Sequence, residues 1–115
     1  MSTTDVEIWH NPRCSKSRQT LALLEERGIT PRVVKYLDAP PSEARLREVA
    51  GQLGGAEALV RRKEAAYGER GLKGADADAL IAAMAEEPKL IERPVVITAK
   101  GARIGRPPES VLEVL

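Results

Sequence analysis

Val6-Glu7-Ile8-Trp9-His10-Asn11-Pro12-Arg13-Cys14-Ser15-Lys16-Ser17-Arg18 is the stretch whose reading decides the fold. Val6 and Ile8 alternate with Glu7 as in a strand, and Asn11-Pro12 breaks that strand. From Cys14 or Ser15 to Arg27 the apolar residues Leu21, Ala22, Leu23 and Leu24 gather on one helical face, and Gly28 supplies the stop. Pro31 opens a second strand, expected over Arg32 to Leu37, with the β-branched pair Val33-Val34 and then Tyr36. A strand–helix–strand crossover of this length demands parallel pairing, and such crossovers are nearly always right-handed. Cys14, the chain's single cysteine, falls at the strand-to-helix junction. There the helix dipole and the unpaired N–H groups of the first turn favour a thiolate. A lone cysteine can also be a buried, inert, small hydrophobe. The polar and charged flanks Arg13, Lys16 and Arg18 favour the reactive reading.

Pro40-Pro41 ends this unit and the texture changes. Ser42 is a helix cap for Leu46, Val49, Ala50 and Leu53, a helix stopped by Gly54-Gly55. A shorter helix is expected to carry Ala58, Leu59 and the basic triplet Arg61-Arg62-Lys63. Gly68, Gly71 and Gly74 mark a loop. Asp76 or Asp78 begins a helix through Leu80, Ile81 and Met84 that ends before Pro88. Strand character returns at Val95-Val96-Ile97-Thr98, and Lys100-Gly101 turns the chain into Ala102-Arg103-Ile104. Pro107-Pro108-Glu109 starts a last helix with Val111, Leu112 and Leu115 as its apolar face. The order βαβ, then helices over about 42–88, then ββα predicts an α/β protein. Its two halves are those of a thioredoxin-like mixed four-stranded sheet, separated by an all-helical insertion. Residues 1–115 are read as one domain.

Composition narrows the function. With no Phe, one Trp and two Tyr, the chain lacks the stacking platforms of single-strand binders. Its 18 basic and 17 acidic residues give no bulk field toward nucleic acid or a membrane surface. One Cys and one His cannot build a structural zinc site, and one Cys cannot close an internal disulfide. Met1-Ser2-Thr3-Thr4-Asp5 lacks a secretory pattern, and no apolar run reaches membrane-spanning length. A reducing cytoplasm is the expected location, where a free thiol stays usable. Any redox cycle then takes its second sulfur from another molecule.

The loop itself eliminates several chemistries. A phosphatase-type loop needs Arg where Thr20 stands, and a dithiol redox motif needs Cys where Ser17 stands. His10, four residues from Cys14 across a proline, is better placed to tune a thiolate than to serve as base for peptide attack. What survives is a monothiol Cys-x-x-Ser loop in which the Ser17 hydroxyl is a candidate donor to sulfur. Two arginines bonded to proline, Arg93-Pro94 and Arg106-Pro107, offer planar forks suited to a tetrahedral oxyanion. In a thioredoxin-like fold Pro94 falls at the cis-proline beside the cysteine, which puts Arg93 next to Cys14.

The segment His10 to Arg18, Tyr36-Leu37 with Pro40-Pro41, Leu59-Val60-Arg61-Arg62-Lys63, Glu92-Arg93-Pro94-Val95-Val96 and Arg106-Pro107-Pro108 together resemble the glutaredoxin-coupled arsenate reductase family. The resemblance runs in order over nearly the whole chain and extends to the Spx-type regulators of the same fold. It implies a thiolate nucleophile at Cys14, a pKa-tuning role for His10, and an oxyanion cage of Arg61, Arg93 and Arg106. It also implies arsenate as substrate, glutathione as co-substrate, glutaredoxin as partner, and no tightly bound cofactor or metal. The Arg61-Arg62 doublet permits a one-residue slip, and counting back from Tyr67 favours Arg61. Arg13 and Lys16 replace the small residues that the best-known reductases carry around the cysteine. Two other readings stand beside this one: a regulator that binds RNA polymerase, and a glutathione-linked thiol transferase that does not act on arsenate.

Overall fold

The structure, a computed structural model, describes residues 6–115. Met1–Asp5, where the sequence was read for a secretory pattern, lies outside the described residues. Two compact units are present. One is formed by the chain up to Ala39 and from Arg93 onward, and the other by Pro40–Glu92.

The first unit holds the sheet. Strand β1 (Glu7–Trp9) leads through the cysteine loop into helix α1 (Ser15–Glu26), and the chain returns as β2 (Arg32–Val34). β1 and β2 are parallel, with Glu7 opposite Arg32 and Ile8 opposite Val33. After the second unit come β3 (Val95–Thr98) and β4 (Gly101–Ile104), an antiparallel hairpin whose β3 also runs antiparallel to β1. The order β2-β1-β3-β4 is the mixed four-stranded sheet that the sequence predicts. Ile8 and Val96 lie opposite each other, and with Val6, Leu24, Val111 and Val114 they form a buried cluster between the sheet, α1 and the C-terminal segment. Each such side chain removed from water contributes about 1.5–3 kcal/mol.

Two elements of this unit differ from expectation. β2 stops at Val34 rather than Leu37. The Lys35 carbonyl accepts from the N–H groups of Asp38 and Ala39, so residues 35–39 turn, and Leu37 is left exposed while Tyr36 points inward and is fully buried. The C-terminal segment is a 3-10 helix, Pro108–Val114, rather than an α-helix. At three residues per turn Pro108, Val111 and Val114 share one row, and these are the residues that bury. Leu112 and Leu115 fall on the neighbouring row and remain partly exposed.

The second unit is helical: α2 (Glu43–Leu53), α3 (Ala56–Leu59), α4 (Ala65–Glu69), α5 (Ala77–Glu86) and a 3-10 turn, Pro88–Leu90. Ser42 caps α2 by accepting from the Arg45 N–H at 3.1 Å, and Asp76, not Asp78, caps α5 by accepting from the Ala79 N–H at 2.9 Å. Gly54 ends α2 in the left-handed region at φ 100°, a conformation that costs glycine nothing. Leu46, Val49 and Ala50 of α2 and Leu80, Ile81 and Met84 of α5 are buried. The basic triplet is not helical. Val60 turns extended and bridges Ile91, and the Arg61 N–H donates to the Leu90 carbonyl at 2.6 Å, so the chain pairs with 90–92 instead of coiling. Gly68 lies within the short α4 that the glycine pattern concealed.

Candidate active site

Cys14 is the N-cap of α1, in extended conformation at φ −92° and ψ 122°, and its thiol is partly exposed. The preceding loop is held by its own side chains. The Asn11 carbonyl accepts from the Cys14 N–H at 2.9 Å, and Asn11 Oδ1 accepts from the Arg13 N–H at 3.0 Å. Arg18 reaches back from α1 to donate to the Pro12 carbonyl at 2.8 Å. Arg13 and Lys16 are exposed.

Ser17 does something other than what the Cys-x-x-Ser spacing predicts. Its hydroxyl is fully buried, lies 2.6 Å from His10 Nδ1, and accepts from the Asn11 N–H at 3.0 Å. Burial, with Lys35 and Arg18 nearby, holds the His10 pKa below the ordinary imidazole value. The Ser17 hydroxyl is engaged by the imidazole and by the loop backbone. The sulfur is served instead by backbone. Burial pushes the Cys14 thiol up, but the Ser17 N–H, the Arg93 side chain, the Lys16 N–H and the Arg106 charge together bring it below its ordinary value. Ser17 and Lys16 are the third and second residues of α1, so these are the unpaired donors of a helix start. His10 lies against the hydroxyl of the residue whose N–H faces the sulfur.

The far ends of the hairpin close over the cysteine. Arg93-Pro94 and Arg106-Pro107 are both cis. Arg106 donates from Nε to the Arg93 carbonyl at 2.9 Å and places Nη2 3.5 Å from Cys14 Sγ. Arg93 Nε is buried and has no hydrogen-bond partner among the described residues. Tight packing sets this corner: a Cβ on Gly105 would stand 2.5 Å from Thr20 Oγ1 and 2.8 Å from Pro94 Cγ, and the Gly105 N–H donates to the Pro94 carbonyl at 2.9 Å. Thus Cys14, Ser17, His10, Arg93, Pro94 and Arg106 meet within one unit. Arg61 belongs to the other unit. There its guanidinium lies 3.6 Å from the Glu92 carboxylate, with 19% of the side chain exposed, whereas Arg62 is 60% exposed and pairs with Glu57. The first-turn N–H groups expected from sequence are those of Lys16 and Ser17, whereas the sequence did not mark Tyr36 as part of the site. An N-cap position read at Cys14 implies the amides, and only the turn at 35–39 brings Tyr36 in.

The sheet and a solitary activated thiol at the strand–helix junction define a thioredoxin-like protein of the single-cysteine kind. Residues 9–114 match the ArsC family, and the chain belongs to it. It is 51% identical over 117 residues to the Escherichia coli (strain K12) protein YfgD, covering 98% of both chains. It is 49% identical over 115 residues to an arsenate reductase of Neisseria meningitidis, covering 96% of this chain and 98% of that one. A solved arsenate reductase from Vibrio cholerae superimposes with a TM-score of 0.92 at 55% identity, covering 96% and 97%.

Proposed function

We propose that this protein is an arsenate reductase whose catalytic thiolate is Cys14 and whose electrons come from glutathione through glutaredoxin. The observation that carries the reading is the Cys14 thiol, drawn toward its anion by the first turn of α1 and the two arginines of the hairpin. The relatives named arsenate reductase support the substrate. Arsenate is a tetrahedral anion, and attack by a thiolate on it needs donors fixed where charge resides. Cys14 sulfur forms a bond to arsenic(V) while one arsenate oxygen, protonated, leaves as water. Glutathione thiolate then attacks the Cys14 sulfur, the electron pair of the sulfur–arsenic bond passes to arsenic, and arsenite leaves as a Cys14–glutathione disulfide forms. Glutaredoxin takes the glutathione and returns the Cys14 thiol. The cycle as written requires glutathione as co-substrate, no tightly bound cofactor and no metal. A reducing cytoplasm suits it.

In this scheme Arg93 and Arg106 bind the oxyanion beside the thiol, His10 and Ser17 hold the loop in its productive form, and Pro94 shapes the wall. Arg61 is a third donor, a role that rests on the family resemblance. Coupled oxidation of NADPH with arsenate, glutathione, glutaredoxin and glutathione reductase tests the whole cycle. Arsenate-dependent turnover that disappears in Cys14→Ser is expected, and no such turnover in the wild type would reject the proposal.

A further inference from the structure

Tyr36 has its side chain fully buried, yet its hydroxyl has no hydrogen-bond partner. It faces the Asn11 amide, the Arg93 guanidinium and Cys14, none of them with the geometry of a hydrogen bond. Asn11 makes no hydrogen bond to the phenol, and Arg93 has donors only. The phenolic proton therefore meets no acceptor among the described residues. Arg93 Nε, also buried, is likewise without an acceptor. An unsatisfied buried donor is costly, and two of them at a reactive thiol call for one shared acceptor.

We propose that the Tyr36 hydroxyl is a further ligand of the oxyanion at Cys14, donating to one of its oxygens while Arg93 Nε donates to the same anion. The inference rests on the oxyanion reading of the site and adds a neutral donor to its charged ones. Burial keeps the phenol protonated across the working range, so it donates without adding charge. A hydroxyl also accepts, which a guanidinium cannot do, and so it tolerates an anion that still carries a proton.

Tyr36→Phe removes the hydroxyl and leaves the ring. If the group only awaits a ligand, the free variant unfolds at the same temperature as wild type or higher. The dissociation constant for arsenate, read from the ultraviolet absorbance of the Cys14 thiolate, rises about tenfold or more, the loss expected for a hydrogen bond to a charged group. In the wild-type protein with 13Cζ-labelled tyrosine, arsenate shifts the Tyr36 resonance and leaves that of Tyr67, the only other tyrosine, in place. An arsenate affinity within twofold of wild type, or an unmoved Tyr36 resonance at saturation, overturns the proposal. A lower unfolding temperature with unchanged affinity also overturns it, by making the hydroxyl structural. Wild-type protein that binds no arsenate at all sinks the oxyanion reading together with it. Normal wild-type binding with an unaffected variant sinks Tyr36 alone.

Discussion

A proton on Cys14 is held less tightly in the folded chain than in the unfolded one, because helix amides and arginines favour the thiolate. The associated stability is therefore present above the unfolded pKa and lost as pH falls through the folded one. Alkylation of Cys14 by iodoacetamide should titrate below an ordinary thiol, and Arg93→Gln and Arg106→Gln should each raise that midpoint. His10 is a base with a lowered pKa, so the unfolded chain takes up its proton first. Stability should fall as pH drops below about 6.5, the unperturbed imidazole value, and level off once the folded protein is protonated too. Thermal melts of His10→Gln across that range should lack this portion of the acid limb; an unchanged curve would refute the buried-neutral assignment. The sequence pointed to Cys14, Arg93 and Arg106 because each residue type announces its chemistry. It misdirected the Ser17 hydroxyl, because the Cys-x-x-Ser spacing does not say which of two neighbours, sulfur or imidazole, it meets.

Helices α2 and α5 begin on side chains that the sequence displays plainly. Ser42→Ala and Asp76→Ala should each cost about 1 kcal/mol, read as a lower urea midpoint with unchanged slope. Gly105 is a different case, since α1, Pro94 and the end of β4 converge on its missing side chain. Gly105→Ala should destabilise by about 1–3 kcal/mol through overpacking, and should depress turnover because Thr20 and Pro94 are what yields. A urea midpoint equal to wild type would show that the corner absorbs a methyl. Caps, glycine stops and alternating strands were legible because they depend on neighbours in sequence. The early end of β2 and the three-residue period of Pro108–Val114 were not, since both follow from what packs against them: two apolar pairs, Val111/Leu112 and Val114/Leu115, are equivalent until one row is chosen.

The chain as a whole brings residues from its beginning and its last quarter together around one sulfur, with Cys14 and Arg106 92 positions apart. Whether the proposed third donor is Arg61 or Arg62 is a test of the family register. Arg61→Ala should lower kcat/KM for arsenate by about 10²–10³, the usual loss for one oxyanion donor. Arg62→Ala, which removes an exposed pair with Glu57, should leave it within about a factor of two. Steady-state kinetics with both variants would decide, and the reverse pattern would move the assignment by one residue. Trp9, the sole tryptophan, sits on inner strand β1 immediately before His10, with its indole N–H on the buried Glu7 carboxylate at 2.7 Å. The protein thereby carries its own optical gauge: a dry indole, tethered at one end, whose emission registers the state of the sheet and the loop beside it with no dye attached.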